Sequence, residues 1–157
     1  APSASWSLQA GGTIQRSRYR VDQTIIEADP DAGLSGITAD RFVRTPDFYG
    51  YLNSNWKATD LFSVDLTAVY TGSMLVPHQV NRQLINSKQF LEGNLRLGYL
   101  FKIRDHFNIE ANIGVQNILN SYQSDFDRGA QRDSDYVYGP SRPRTFVFGV
   151  KIGHFHD

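Results

Sequence analysis

The stretch FSVDLTAVYT, residues 62 to 71, sets Phe62, Val64, Leu66, Ala68 and Tyr70 against Ser63, Asp65, Thr67, Val69 and Thr71. An alternation of period two places one set on each face of a strand, whereas an amphipathic helix repeats every ~3.6 residues. The same beat returns from Trp6 to Ile14, Phe48 to Trp56, Leu91 to Phe101, Phe107 to Val115 and Phe146 to Ile152. Aromatic and β-branched residues dominate these runs, as strands prefer. The reading is an all-β chain of six antiparallel strands.

The connections carry the second constraint. KATDL (57–61) and IRDH (103–106) are tight turns, whereas residues 20–40, 75–88 and 120–142 form long links. Short and long alternate, which predicts an up-and-down meander with all turns at one end and all loops at the other. Outer-membrane barrels have this asymmetry, with short periplasmic turns and long extracellular loops.

Composition removes several alternatives. A chain of 157 residues has the size of one ordinary domain. Its 16 basic and 16 acidic residues cancel and no basic block stands out, so nucleic acid is not an expected partner. It has no cysteine, which excludes disulfides, thiolate zinc sites and cysteine nucleophiles. No apolar run reaches the ~18 residues of a membrane helix. The start APSASWSLQA lacks the basic and apolar regions of a signal peptide, so the expectation is a segment of something larger.

A soluble sandwich or small barrel also alternates, so a further feature has to separate it from a membrane wall. With the tight turns at one end, the apolar-face residues nearest that end are Trp6, Trp56, Phe62, Phe101 and Phe107. All five are aromatic, as in the belt a lipid-facing sheet presents to the headgroup layer. The other face carries Asp65, Glu92, Arg96, Glu110 and Lys151, which suits a wet lumen or bulk solvent equally. Six strands do not close a membrane barrel, since an open edge in lipid leaves backbone groups without partners. The chain is therefore expected to share a barrel with further strands.

Three ordered stretches carry a family resemblance: RTPDFYGYL at 44–52, TGSMLVPH at 71–78, and GVQNILNSYQSDFDRGAQRDSDYVYGPSRPRTFVFGVKIG at 114–153. Together they resemble the C-terminal third of a TonB-dependent outer-membrane receptor, most of all the Bacteroidetes type, over essentially the whole chain. The resemblance implies that residues 1–157 are the last six strands of a transmembrane barrel of about 22 strands. It implies a plug domain outside this chain, TonB as the energy source, outer-membrane lipid around the barrel and a possible surface lipoprotein partner. The location implied is the outer membrane of a Gram-negative bacterium, with long loops extracellular and the C-terminus periplasmic. The cargo implied is a metal chelate, a siderophore, haem or cobalamin, with a SusC-like glycan or peptide importer as the alternative. A small oligomeric barrel or adhesin and a soluble β-sandwich remain the other readings. The end departs from the family, where a lipid-facing Phe is common: His154 holds that phase and Phe155 is one residue out of it.

Site candidates follow from loop position. Arg44, His78 and Tyr122 are the solute-contact candidates, because a site on loops over a scaffold draws on such side chains. Asp65, Glu92, Arg96 and Glu110 are expected to face the plug through charge pairs and hydrogen bonds. Asp125, Asp127, Asp133 and Asp135 offer oxygen ligands for calcium, although the spacing is not that of an EF-hand and a solvated polar loop is the safer reading. His154 and His156 share one strand face, too few ligands for a metal by themselves. No nucleophile elbow, helix-borne His pair or phosphate loop occurs, and Ser73 has no nearby base, so no enzymatic activity and no cofactor are expected.

Overall fold

The computed structural model describes residues 5–104 and 107–153. Six strands form one sheet: β1 (Ser5–Ile14), β4 (Phe48–Lys57), β5 (Phe62–Thr71), β8 (Phe90–Arg104), β9 (Phe107–Gln116) and β10 (Thr145–Gly153). They lie in that order and every neighbouring pair is antiparallel. The six alternating runs are these six strands, and among the described residues there is no helix.

Two of the long links are not bare loops. Residues 20–40 hold most of a hairpin of β2 (Arg18–Ile26) and β3 (Ile37–Arg41), and residues 75–88 hold β6 (Leu75–His78) and β7 (Gln83–Asn86). Neither announced itself by alternation. Most of β2 is exposed on both faces, so no face is selected for apolar residues, and β6 and β7 have four residues each, one of them Pro77. The third link, loop 3 (residues 117–144), contains no strand.

The register sorts the sheet into two faces. Trp6, Trp56, Val64, Leu97, Ile113 and Phe148 are successive cross-strand partners in one row. The next row on that face runs Leu8, Ser54, Leu66, Leu95, Val115 and Phe146. These side chains have no second layer over them: Phe148 is 88% and Phe146 76% exposed. A sandwich would bury this face, and so continuous an exposed apolar surface marks an interaction face, with lipid or with protein. The opposite face carries Asn55, Asp65 and Arg96 in one row.

The turns close for local reasons. Between β4 and β5, the Thr59 hydroxyl oxygen accepts the amides of Leu61 (3.2 Å) and Phe62 (3.0 Å), and the Ala58 amide donates to the Phe62 carbonyl at 3.0 Å. The β8–β9 hairpin reaches further. Phe62 opens β5 opposite Tyr99, yet β8 continues through Leu100 to Arg104, with the Leu100 amide still donating to the Leu61 carbonyl at 2.8 Å. The two hairpin ends are thus staggered. All three long links leave from the other end, where the only substantial buried core among the described residues lies: Met74, Val76, Phe90, Tyr136 and Tyr138, with Ile85 packed against it.

Candidate site at the loop end

Loop 3 is organised by amide side chains. Asn117 and Asn120 adopt positive φ (50° and 53°), a conformation Asn tolerates better than most residues. The buried Asn117 accepts the Ser121 amide (2.9 Å) and donates to the carbonyls of Ser121 (3.2 Å) and Arg142 (2.9 Å), while Asn120 accepts the Arg144 amide (2.9 Å). These bonds tie the two ends of the loop together. Further in, Gln123 is completely buried and spans the loop. Its Nε2 donates to the Tyr136 carbonyl (3.0 Å), and its Oε1 accepts the amides of Tyr138 (2.8 Å) and Gly139 (3.2 Å). Its own amide donates to the Pro140 carbonyl at 2.9 Å. A buried backbone polar group is costly unless paired, and one glutamine pairs three of them.

The β6–β7 hairpin docks onto loop 3 through His78, which is 3% exposed. Its Nε2 lies 3.1 Å from Asp127 Oδ2 and its Nδ1 3.7 Å from Asp133 Oδ2. The Asn81 amide donates to Nδ1 at 3.1 Å, and the Tyr136 ring packs on the imidazole with centroids 4.4 Å apart. Asp133 Oδ2 also accepts the Gln79 amide. The Asp133 amide, donating to Asp127 at 3.0 Å, is the main influence holding the Asp127 carboxyl below its usual range, with His78 adding to it.

Two tyrosines complete the cluster. Tyr138 donates to both oxygens of Asp125 (2.6 and 2.8 Å), and Tyr136 reaches the same carboxylate at 3.4 Å. Burial, then the adjacent Asp125 carboxylate, pushes both phenols above their ordinary value, Tyr138 further than Tyr136.

The structure brings two of the three solute-contact candidates into this assembly. Arg44 and His78 both meet loop 3, Arg44 through the carbonyls of Val137 (3.1 Å) and Asp135. Tyr122 is half-buried beside Gln123 and is not drawn into the His78 cluster. The four aspartates do not converge: Asp125 faces the tyrosines, Asp127 and Asp133 face His78, and Asp135 supplies backbone groups. Among the described residues no group of three or more acidic or histidine side chains is arranged to hold a metal ion. His154 and His156 lie outside the described residues.

Of the lumen-side candidates, Arg96 stands between Glu110 (2.9 Å) and Asp65 (3.9 Å), and Asp65 accepts a hydrogen bond from Asn55. Glu92 is separate, on the wall of a cavity of about 500 Å³ between the sheet and loop 3. Arg44, Phe90, Tyr138 and Arg142 share that wall. The five turn-end aromatics share the opposite, apolar face; Trp6, Trp56, Phe101 and Phe107 are exposed there and Phe62 is half-covered. Sequence reasoning missed Gln123, Asn117 and the tyrosine pair, because an amide or phenol in a polar loop has no periodic signal.

No family model matches the sequence. The chain is 27% identical over 156 residues to the catecholate siderophore receptor Fiu of Escherichia coli strain UTI89, and to the same degree to that of strain K12. Each alignment covers 96% of this chain and 18% of the receptor, so the chain spans under a fifth of the length of these curated relatives. The crystal structure of the ferric-catecholate import receptor Fiu from E. coli K12, in a closed form, superposes with a TM-score of 0.62 at 23% identity, covering 96% of this chain and 19% of that one. The homology along 96% of the chain and the shared fold bear out the resemblance to a segment of a TonB-dependent receptor barrel. The six-stranded sheet has the fold of part of that receptor's structure.

Proposed function

We propose that this chain is the C-terminal part of an outer-membrane TonB-dependent importer, and that the imported solute is a ferric chelate of the catecholate class. The observation that carries the membrane part is the single sheet layer with a continuous, exposed apolar face set back to back with a face bearing Asp65, Arg96 and Glu110. Lipid covers the first face and a wet lumen the second. The unpaired edges of β1 and β10 meet further strands, since closure alone satisfies backbone groups in a bilayer.

Homology to catecholate siderophore receptors supports the solute class. In this reading loop 3 and the β6–β7 hairpin form part of the extracellular mouth, and the Arg44–Arg142 side of the cavity gives that mouth a cationic wall. The plug and TonB act through parts of the receptor outside this chain. Import needs no covalent chemistry, only a solute affinity that differs between the resting and energised receptor.

The test is uptake of radioactive iron as a ferric catecholate by cells relying on the receptor that carries this segment. TonB-dependent uptake, abolished when residues 124–135 are replaced by a short Gly-Ser link and resisted by excess haem or cobalamin, is the expected result. Uptake unaffected by TonB loss, or binding of an oligosaccharide instead, refutes the proposal.

A further inference from the structure

Arg44 lies just past β3, in the connection that carries the first long link on to β4, yet it touches the other two. Its amide donates to the Leu75 carbonyl at 2.7 Å, beside a parallel bridge between Val43 and Leu75, which fixes it to the start of β6. Its guanidinium donates through Nη1 to the Val137 carbonyl at 3.1 Å and through Nη2 to the Asp135 carbonyl, both in loop 3. The backbone stands at φ +55°, a conformation an arginine adopts at a cost. A strained backbone persists when its surroundings over-determine it, and here those surroundings are two other chain segments, the start of β6 and loop 3.

We propose that Arg44 is a positioning residue, a clamp through which the three long links at the loop end move as one body. A planar fork is suited to clamping, because two of its nitrogens hold two carbonyls of one loop at a fixed angle, which a single ammonium does not reproduce. The charge strengthens both bonds, because a charged donor to a neutral acceptor outweighs a neutral pair. Loop 3 is otherwise tied to itself by Gln123 and to the β6–β7 hairpin by His78, and Arg82 at that hairpin's turn donates to the Glu27 and Ser35 carbonyls of the first link, so Arg44 adds the direct tie between the first link and loop 3 and completes the set. The clamp concerns loop geometry and holds whichever solute is imported.

This chain has no cysteine, so none of its own residues competes with introduced spin labels, and any cysteine elsewhere in the receptor is replaced by serine first. The experiment uses the whole receptor carrying this segment, labelled at Ala32→Cys in the exposed turn of the β2–β3 hairpin and Gln131→Cys in exposed loop 3, with distances read by pulsed electron spin resonance. A second pair, Ser7→Cys and Thr67→Cys, reports on the sheet. Arg44→Asn keeps a residue that accepts positive φ and removes the fork; Arg44→Lys keeps the charge and removes the fork; Arg142→Gln alters the same cavity wall without touching the clamp. The expected result is one narrow loop-to-hairpin distance in the unmodified receptor and in Arg142→Gln. That narrow population is lost in Arg44→Asn and Arg44→Lys while the sheet pair stays narrow. If the sheet pair widens in Arg44→Asn, Arg44→Lys decides. A loop-to-hairpin distance that stays narrow in Arg44→Lys overturns the proposal.

Discussion

Replacing Gln123 by leucine keeps most of the side-chain volume and deletes every polar atom of the amide. Three backbone groups inside loop 3 lose their partners: the Tyr136 carbonyl and the amides of Tyr138 and Gly139. At a net of about 1 kcal/mol per hydrogen bond, the closed loop loses about 3 kcal/mol relative to a locally opened one in which water satisfies those groups. Since ~1.4 kcal/mol is a factor of ten, opening becomes about a hundredfold more frequent. The sheet is untouched, because none of these bonds involves a strand. Trypsin reads the change: Arg128 and Arg132 lie on the exposed outer part of loop 3 and are cut when the loop opens far enough to enter the protease. The expected outcome is cleavage about a hundredfold faster in Gln123→Leu at unchanged barrel stability, from that same arithmetic. Equal cleavage rates would refute the view that one buried amide organises the loop, and global unfolding would refute its independence from the sheet.

The phenols of Tyr136 and Tyr138 titrate above their usual value, so the folded loop favours their protonated forms. Their contribution is full below the unfolded value of about 10 and is lost as pH rises beyond it, so tyrosinate absorbance shows these two of the chain's 8 tyrosines ionising late, together with loop opening. Asp127 has the opposite sign. Its lowered value gives a contribution present above the unfolded carboxyl range and lost as pH falls through the folded value, so acid-induced tryptic sensitivity of loop 3 flattens in Asp127→Asn. At Gly139 an added Cβ would lie 2.4 Å from the ring of buried Phe90, so Gly139→Ala costs about 1–3 kcal/mol of loop stability by overpacking, measured by the same cleavage. Spin labels along β10 test the two faces: label mobility and oxygen access mark Phe148→Cys as lipid-exposed, while a water-soluble relaxation agent reaches Val147→Cys. Equal access at both positions would exclude a membrane wall.

The strands were legible because each has one apolar face and one polar face, and that division writes itself as alternation. β4, β5, β9 and β10 follow their runs residue for residue. β2 escaped because neither of its faces is chosen, and β6 because four residues including Pro77 are too few to show a period. The loop-end candidates were partly legible for a different reason. Arg44 and His78 stood out by residue type, yet their partners lie 91 residues and 49 residues or more further along the chain, where spacing carries no information. Asp127 and Asp133 stood out only as loop oxygens that calcium could use; in space they frame an imidazole.

The stagger between the two hairpin ends bears on how substitutions in this wall are compared. In a barrel whose strands tilt by roughly 35–45°, a line of constant depth crosses the hydrogen-bonded rows obliquely. Trp56 and Leu97 sit in one row, but β8 runs on past Leu97 to Arg104 while β4 ends at Lys57. In the proposed membrane wall the headgroup level therefore descends across the sheet from the two tryptophans through Phe62 and Tyr99 towards Phe101 and Phe107. A charge placed at Leu97 is submerged more deeply than one at its row partner Trp56, so row membership misjudges its cost, and an oblique coordinate through these aromatics gives the common scale.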